Sequence, residues 1–71
     1  MEFEKVESSN IEGVSYSEGT ETVYVKFKNG TVYEYEGVPI SIYLDLMESD
    51  SKGKFFNSNI KNAGFKYRKV V

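Results

Sequence analysis

Val23-Tyr24-Val25-Lys26-Phe27-Lys28-Asn29-Gly30-Thr31-Val32-Tyr33-Glu34-Tyr35 holds two alternating runs on either side of Lys28-Asn29-Gly30. A period of two sends successive side chains to opposite faces of a strand, and Asn-Gly is turn chemistry, so the stretch reads as a β-hairpin. Its register rests on the loop. A two-residue Asn29-Gly30 turn would pair Phe27 with Val32 and set Val25 against Glu34, leaving Tyr33 and Tyr35 on the other face. A three-residue loop with Gly30 left-handed pairs Phe27 with Thr31, Val25 with Tyr33 and Val23 with Tyr35. A slip of one residue turns a whole strand over, and only the second register collects the apolar side chains on one face. The sequence therefore predicts the second.

Upstream, Val14-Ser15-Tyr16 alternates in the same way. A four-residue loop over Glu18-Gly19-Thr20-Glu21 adds Val14 and Tyr16 to the apolar face and leaves Tyr24, Lys26, Val32 and Glu34 on the other. Downstream, Val38-Pro39 ends the sheet and opens a helix, because proline's missing N–H costs nothing in a first turn. Ile40, Tyr43, Leu44 and Met47 recur at i, i+3, i+4 and i+7, an apolar stripe expected to face the sheet; Ile42 and Leu46 lie off it and need a second neighbour, which the next helix can supply. Ser51 is a plausible N-cap for a second helix whose Phe56 and Ile60 share a face. Asn62-Ala63-Gly64 closes that helix, and Phe65-Lys66-Tyr67-Arg68 reads as a short final strand. The expected fold class is α+β: a three-stranded antiparallel meander, with a short C-terminal strand as an option, and two helices packed on one face.

All 71 residues fit one domain, near the lower end of what folds without staples. With neither cysteine nor histidine, disulfides, thiol chemistry and zinc-finger sites are excluded, so six tyrosines and five phenylalanines must supply the core. The opening MEFEKVESS is acidic and polar, unlike a signal or transit peptide, and no apolar run approaches the roughly 20 residues of a membrane span. The expectation is a soluble, cytoplasmic protein.

Charge divides the chain. Residues 1–50 carry all eleven acids and three lysines, a net −8, whereas residues 51–71 carry six bases and no acid, a net +6. Such asymmetry points to a polyanion-facing surface unless folding lays the basic segment beside the acids. Lys52, Lys54, Lys61, Lys66, Arg68 and Lys69 are the candidate phosphate contacts. Ser51 and Gly53 mark a second feature, a helix start where lysines, free N–H groups and a glycine could seat an anion. Phe55 and Phe56 between these lysines read as core. Ser8-Ser9-Asn10 is turn chemistry, and Asn57 is expected to bond a neighbouring loop's backbone.

Nothing in the inventory favours catalysis or a cofactor. Glu34 and Glu36 share a strand face expected to meet solvent, and Asp45, Glu48 and Asp50 lack the spacing of a calcium loop.

Ser8-Ser9-Asn10-Ile11, Tyr16, Val23-x-Val25-x-Phe27-x-x-Gly30-x-x-Tyr33-x-Tyr35, Val38-Pro39, Ser51-x-Gly53-x-Phe55-Phe56-Asn57, Ile60, Phe65 and Tyr67 form an ordered set. The set resembles the KTSC domain, named for its occurrence at the C-terminus of some lysyl-transfer-RNA synthetases, and spans about residues 8–70. The resemblance implies a βββαα-type domain, found alone or appended to other proteins, for which an RNA-binding role is suspected; it carries over no active-site residue. The expected function is a small non-catalytic binding module associated with RNA or another polyanion through its C-terminal basic surface. The alternative is a protein-interaction or structural domain with no nucleic-acid role.

Overall fold

A computed structural model describes residues 2–71. Its sheet has five antiparallel strands in chain order: β1 (Glu4–Lys5), β2 (Ile11–Ser17), β3 (Thr22–Phe27), β4 (Val32–Glu36) and β5 (Lys66–Lys69). Between β4 and β5 run helix α1 (Ile40–Glu48) and helix α2 (Lys52–Phe56), the latter continued by a π-helical turn over Asn57–Lys61. The class is α+β, as the alternation predicts, but the sheet is wider than the expected meander of three strands. β5 takes the optional fourth place, and β1 is new.

The hairpin adopts the register that one clean apolar face requires. Val23 lies opposite Tyr35 and Val25 opposite Tyr33. The Phe27 N–H meets the Thr31 carbonyl at 2.8 Å, and Gly30 takes the left-handed φ of 90° that this loop needs. β2 follows suit, with Tyr16 opposite Val23 and Val14 opposite Val25.

β1 lacks any alternating signal because it is two residues long, and its place is set by its neighbour. Between Ile11 and Gly13 the β2–β3 register shifts, a bulge that absorbs one residue. That extra residue lets Ile11 and Val14, an odd number apart, both turn inward, and both are buried. Glycine at position 13 lets β1 close in: a Cβ there would stand 3.0 Å from both the Glu4 carbonyl oxygen and the Phe3 Cβ. The adjoining Val6 donates its N–H to the Glu12 carbonyl at 3.1 Å and is itself buried.

The core contains Val6, Ile11, Val14, Val23, Val25, Tyr35, Val38, Leu46, Phe56 and Ile60. From α2, Phe56 meets Tyr35 edge-on, centroids 5.4 Å apart, and Phe27 at 6.0 Å. Phe55 packs against the cluster from outside, as a ring about 100° round the helix should. In the π turn the Asn62 N–H reaches five residues back to Asn57 O, 3.0 Å away. Asn59 donates its side-chain amide to the Phe55 carbonyl at 3.3 Å, an acceptor that an unbroken α-helix would offer to the Asn59 backbone.

Helix α1 corrects the expected stripe. Leu46 is fully buried and Ile42, Tyr43 and Met47 pack on the core, whereas Ile40 and Leu44 stand 42% and 53% exposed. The helix is thus turned by roughly a quarter turn from the i, i+3, i+4, i+7 expectation. Tyr43 is held from the sheet side by Tyr16, which is itself anchored. Its ring stacks on Tyr16 with centroids 5.1 Å apart, while the Tyr16 hydroxyl donates to the Val38 carbonyl at 2.6 Å.

Leu46→Ala should therefore lower stability by about 2–5 kcal/mol and Leu44→Ala by less than about 0.5 kcal/mol, read from urea denaturation midpoints; equal costs would reinstate the other orientation. A second expectation concerns pH. Burial above all, with Glu21 and Glu18 adding to it, pushes the Tyr16 hydroxyl above its ordinary 10.0. Burial does the same to Tyr43, aided by Glu4, and to Tyr35, aided by Tyr33 and Tyr67. The folded state then holds these protons more tightly than the unfolded chain. Their contribution is complete below about pH 10 and is lost as pH rises through the raised values. Tyr16→Phe should cost about 1–2 kcal/mol at pH 7 and make the alkaline loss shallower in urea titrations above pH 10.

Candidate functional site

Strand alternation divides the basic segment. Lys66 lies opposite Glu36 and Arg68 opposite Glu34, on the sheet face away from the helices. There the Arg68 Nε donates to the Glu34 carboxylate at 2.7 Å, an attraction that raises the Arg68 pKa further. Tyr67 and Lys69 point the other way, opposite Tyr35 and Tyr33. Of the six candidate phosphate contacts, Arg68 alone pairs with a carboxylate among the described residues; the other ion pair there is Lys26 with Glu12, at 3.4 Å.

Lys52, Lys54 and Lys61 fall along three adjoining depressions, and Lys69 lines none of them. The first, about 320 Å³, lies between Ser8-Ser9-Asn10 and the start of α2, and is lined by Lys52, Lys54, Gly53 and Asn57, with Glu7 and Asp50. The second, about 360 Å³, shares Ser9, Asn10 and Asn57 with it and adds Phe27, Lys28, Asn29 and Lys61. The third, about 340 Å³, shares Phe27 and Lys61 with the second and adds Tyr33, Tyr35, Asn62 and Tyr67. Together they form one continuous track. Glu7 and Asp50 both line the first depression, beside Lys52 and Lys54; the linings of the second and third are basic, amide, hydroxyl and aromatic.

Local structure explains how each residue comes to the track. Ser8 Oγ accepts from the Asn10 and Ile11 N–H groups at 3.3 and 3.4 Å, so the Ser8-Ser9-Asn10 segment closes its own turn. It then packs against α2 where glycine leaves room: a Cβ on Gly53 would meet Ser8 Oγ at 3.1 Å. Ser51 holds the N-cap position, but its side chain makes no capping bond, and α2 itself is only five residues long. Lys52 turns its ammonium back to the Ser49 carbonyl at 2.9 Å. Gly53 and Lys52 thus serve local packing first. Lys54 and Lys61 remain exposed.

Tyr67 is the residue that charge-based reasoning passed over. Counted in the sequence as part of a final strand, it stands 60% exposed, its ring seated on Tyr35 with centroids 5.6 Å apart and planes 27° from parallel. Tyr33 flanks it at 6.3 Å and is braced edge-on by Phe27. Lys28 and Asn29 were also passed over, since the sequence offers them as turn residues and nothing more.

Elsewhere, Ile40 and Leu44 lie over a shallow depression rimmed by Glu2, Glu4 and Glu18. No group of three or more Asp or Glu side chains among the described residues could hold a metal ion, and no helix is long and apolar enough to cross a membrane.

Comparison with known proteins extends this picture. The chain is 42% identical over 66 residues to a lysine–tRNA ligase of Nostoc punctiforme, covering 93% of this chain but 12% of that protein. A lysine–tRNA ligase of Trichormus variabilis matches at 38% with the same coverage. The chain thus spans about an eighth of these ligases. It covers 92% of an uncharacterised protein of Stutzerimonas stutzeri at 31% identity over 92% of its own length. The crystal structure of a KTSC domain protein from Yersinia pestis superposes with a TM-score of 0.89 at 32% identity, covering 99% of this chain and 97% of the other. The model of the KTSC domain matches residues 7–67, and the chain belongs to that family.

Proposed function

We propose that this KTSC domain is a non-catalytic binding module that holds RNA through the track on its helix side. Phosphate contacts would come from Lys28, Lys54, Lys61 and Lys69, with Lys52 contributing when released from the Ser49 carbonyl. The observation that carries the reading is the segregation of charge. In a chain of net −2, none of these lysines is ion-paired among the described residues, while Arg68 on the opposite face binds Glu34 and its neighbour Lys66 lies opposite Glu36. Polyanion binding needs that arrangement, because each neutralised phosphate releases condensed counterions. Similarity to part of lysine–tRNA ligases, which act on a transfer RNA, supports a ligand of that chemistry.

A second reading, a protein-interaction domain, draws support from the acid-rimmed Ile40 and Leu44. The two differ in what the lysines do. If about four phosphates are neutralised, log K for labelled single-stranded RNA should fall against log salt with a slope of about −3. Lys54→Glu with Lys61→Glu should weaken low-salt binding strongly, whereas Arg68→Glu should leave most of it. Absence of binding at low salt, or indifference to the double substitution, would favour the protein-interaction reading.

A further inference from the structure

We propose that the recess between Tyr33, Tyr67 and Lys61 is a stacking seat for an unpaired base, so that the ligand is single-stranded nucleic acid; this rests on the RNA reading above. A tyrosine on the sheet surface with 60% of its area in solvent makes little use of its hydrophobic surface for folding. Yet its ring is already fixed. It lies nearly parallel on buried Tyr35, which in turn abuts Phe56, so a flat ligand laid against Tyr67 would extend an existing stack. A pre-positioned ring loses little freedom on binding, which favours affinity.

The surroundings suit a nucleotide better than an apolar peptide. The recess has a volume of about 340 Å³ and no carboxylate in its lining, with Lys61 at its border and the Asn62 amide beside it. Lys69 lies opposite Tyr33 in the strand register. Lys61 and Phe27 also line the next depression, with Lys28, so cations continue from the seat along the course a backbone would take. In a duplex the base faces are covered by their neighbours and cannot reach Tyr67. A free base offers a π-face whatever its identity, so the seat should be tolerant of sequence.

The test uses the 71-residue chain and three labelled ligands of equal length: an oligouridylate, an abasic oligonucleotide and duplex RNA. Anisotropy at low salt should show the oligouridylate bound roughly 5- to 150-fold more tightly than the abasic strand, the range expected for one stacked base. Tyr67→Ala should erase that gap and Tyr67→Phe should keep it, while neither alters abasic binding. Lys54→Glu with Lys61→Glu should weaken all three ligands together. Equal affinity for all three ligands would overturn the stacking seat and leave the RNA reading standing; no binding of any would overturn both. An acidic peptide competing as well as the oligouridylate would also overturn the seat. The ligand comparison on the unaltered domain decides the matter even if Tyr67→Ala loosens β5.

Discussion

The edge-on contact of Phe56 with Tyr35 and Phe27 is the interaction on which the rest depends. It is the point where α2 meets the sheet, and it brings Phe56 back across α1 to two rings of the β3–β4 hairpin. A domain of this size has few other large side chains to bury, so losing one ring would remove a large share of its apolar contact. The contact also reaches outward. Tyr35 supports Tyr67 from below, and Phe27 braces Tyr33, so the surface rings are held by the core beneath them. The placement of the candidate site's rings is thus a by-product of folding. No separate framework holds it.

Charge follows the same geometry. The strongly basic final segment would be a single patch if it were a coil. As a strand it is divided by the pleat: Lys66 and Arg68 go to the face that carries Glu34 and Glu36, and Tyr67 and Lys69 to the face that carries the aromatic rings. Lys54 and Lys61 from the helical layer, and Lys28 from the β3–β4 turn, then join the second face from separate parts of the chain. Meanwhile Glu2, Glu4 and Glu18 gather around Ile40 and Leu44. Acidic side chains thus line the depression at Ile40 and Leu44, whereas the one at Tyr67 has no carboxylate in its lining.

Particular residues show why some of this was legible in advance. Asn29-Gly30 and the Val-Tyr alternation around it state their register locally, and Val14 and Tyr16 follow by continuation through a short loop. Phe56 and Ile60 sit inward as their spacing suggests, even though the helix widens to a π turn beneath them. Helix α1 was harder. Ile40, Ile42, Tyr43, Leu44, Leu46 and Met47 offer apolar side chains nearly all round, so periodicity alone admits more than one inward face. The stack of Tyr43 on Tyr16 and the room under Leu46 made the choice. For the site, the lysines were visible as charge, but which of them share a face was not.

The sequence by itself determined both helices, strands β2 to β5, the hairpin register and the hairpin's share of the core, because turn chemistry and side-chain period act between residues close in the chain. Tertiary structure alone decided the orientation of α1, the docking of β1 over Gly13, which residues of β4 face the basic strand and the exposure of Tyr67. Each of those depends on which neighbour arrives from a distant segment, and such packing is decided by shape and space in three dimensions, which no local pattern encodes.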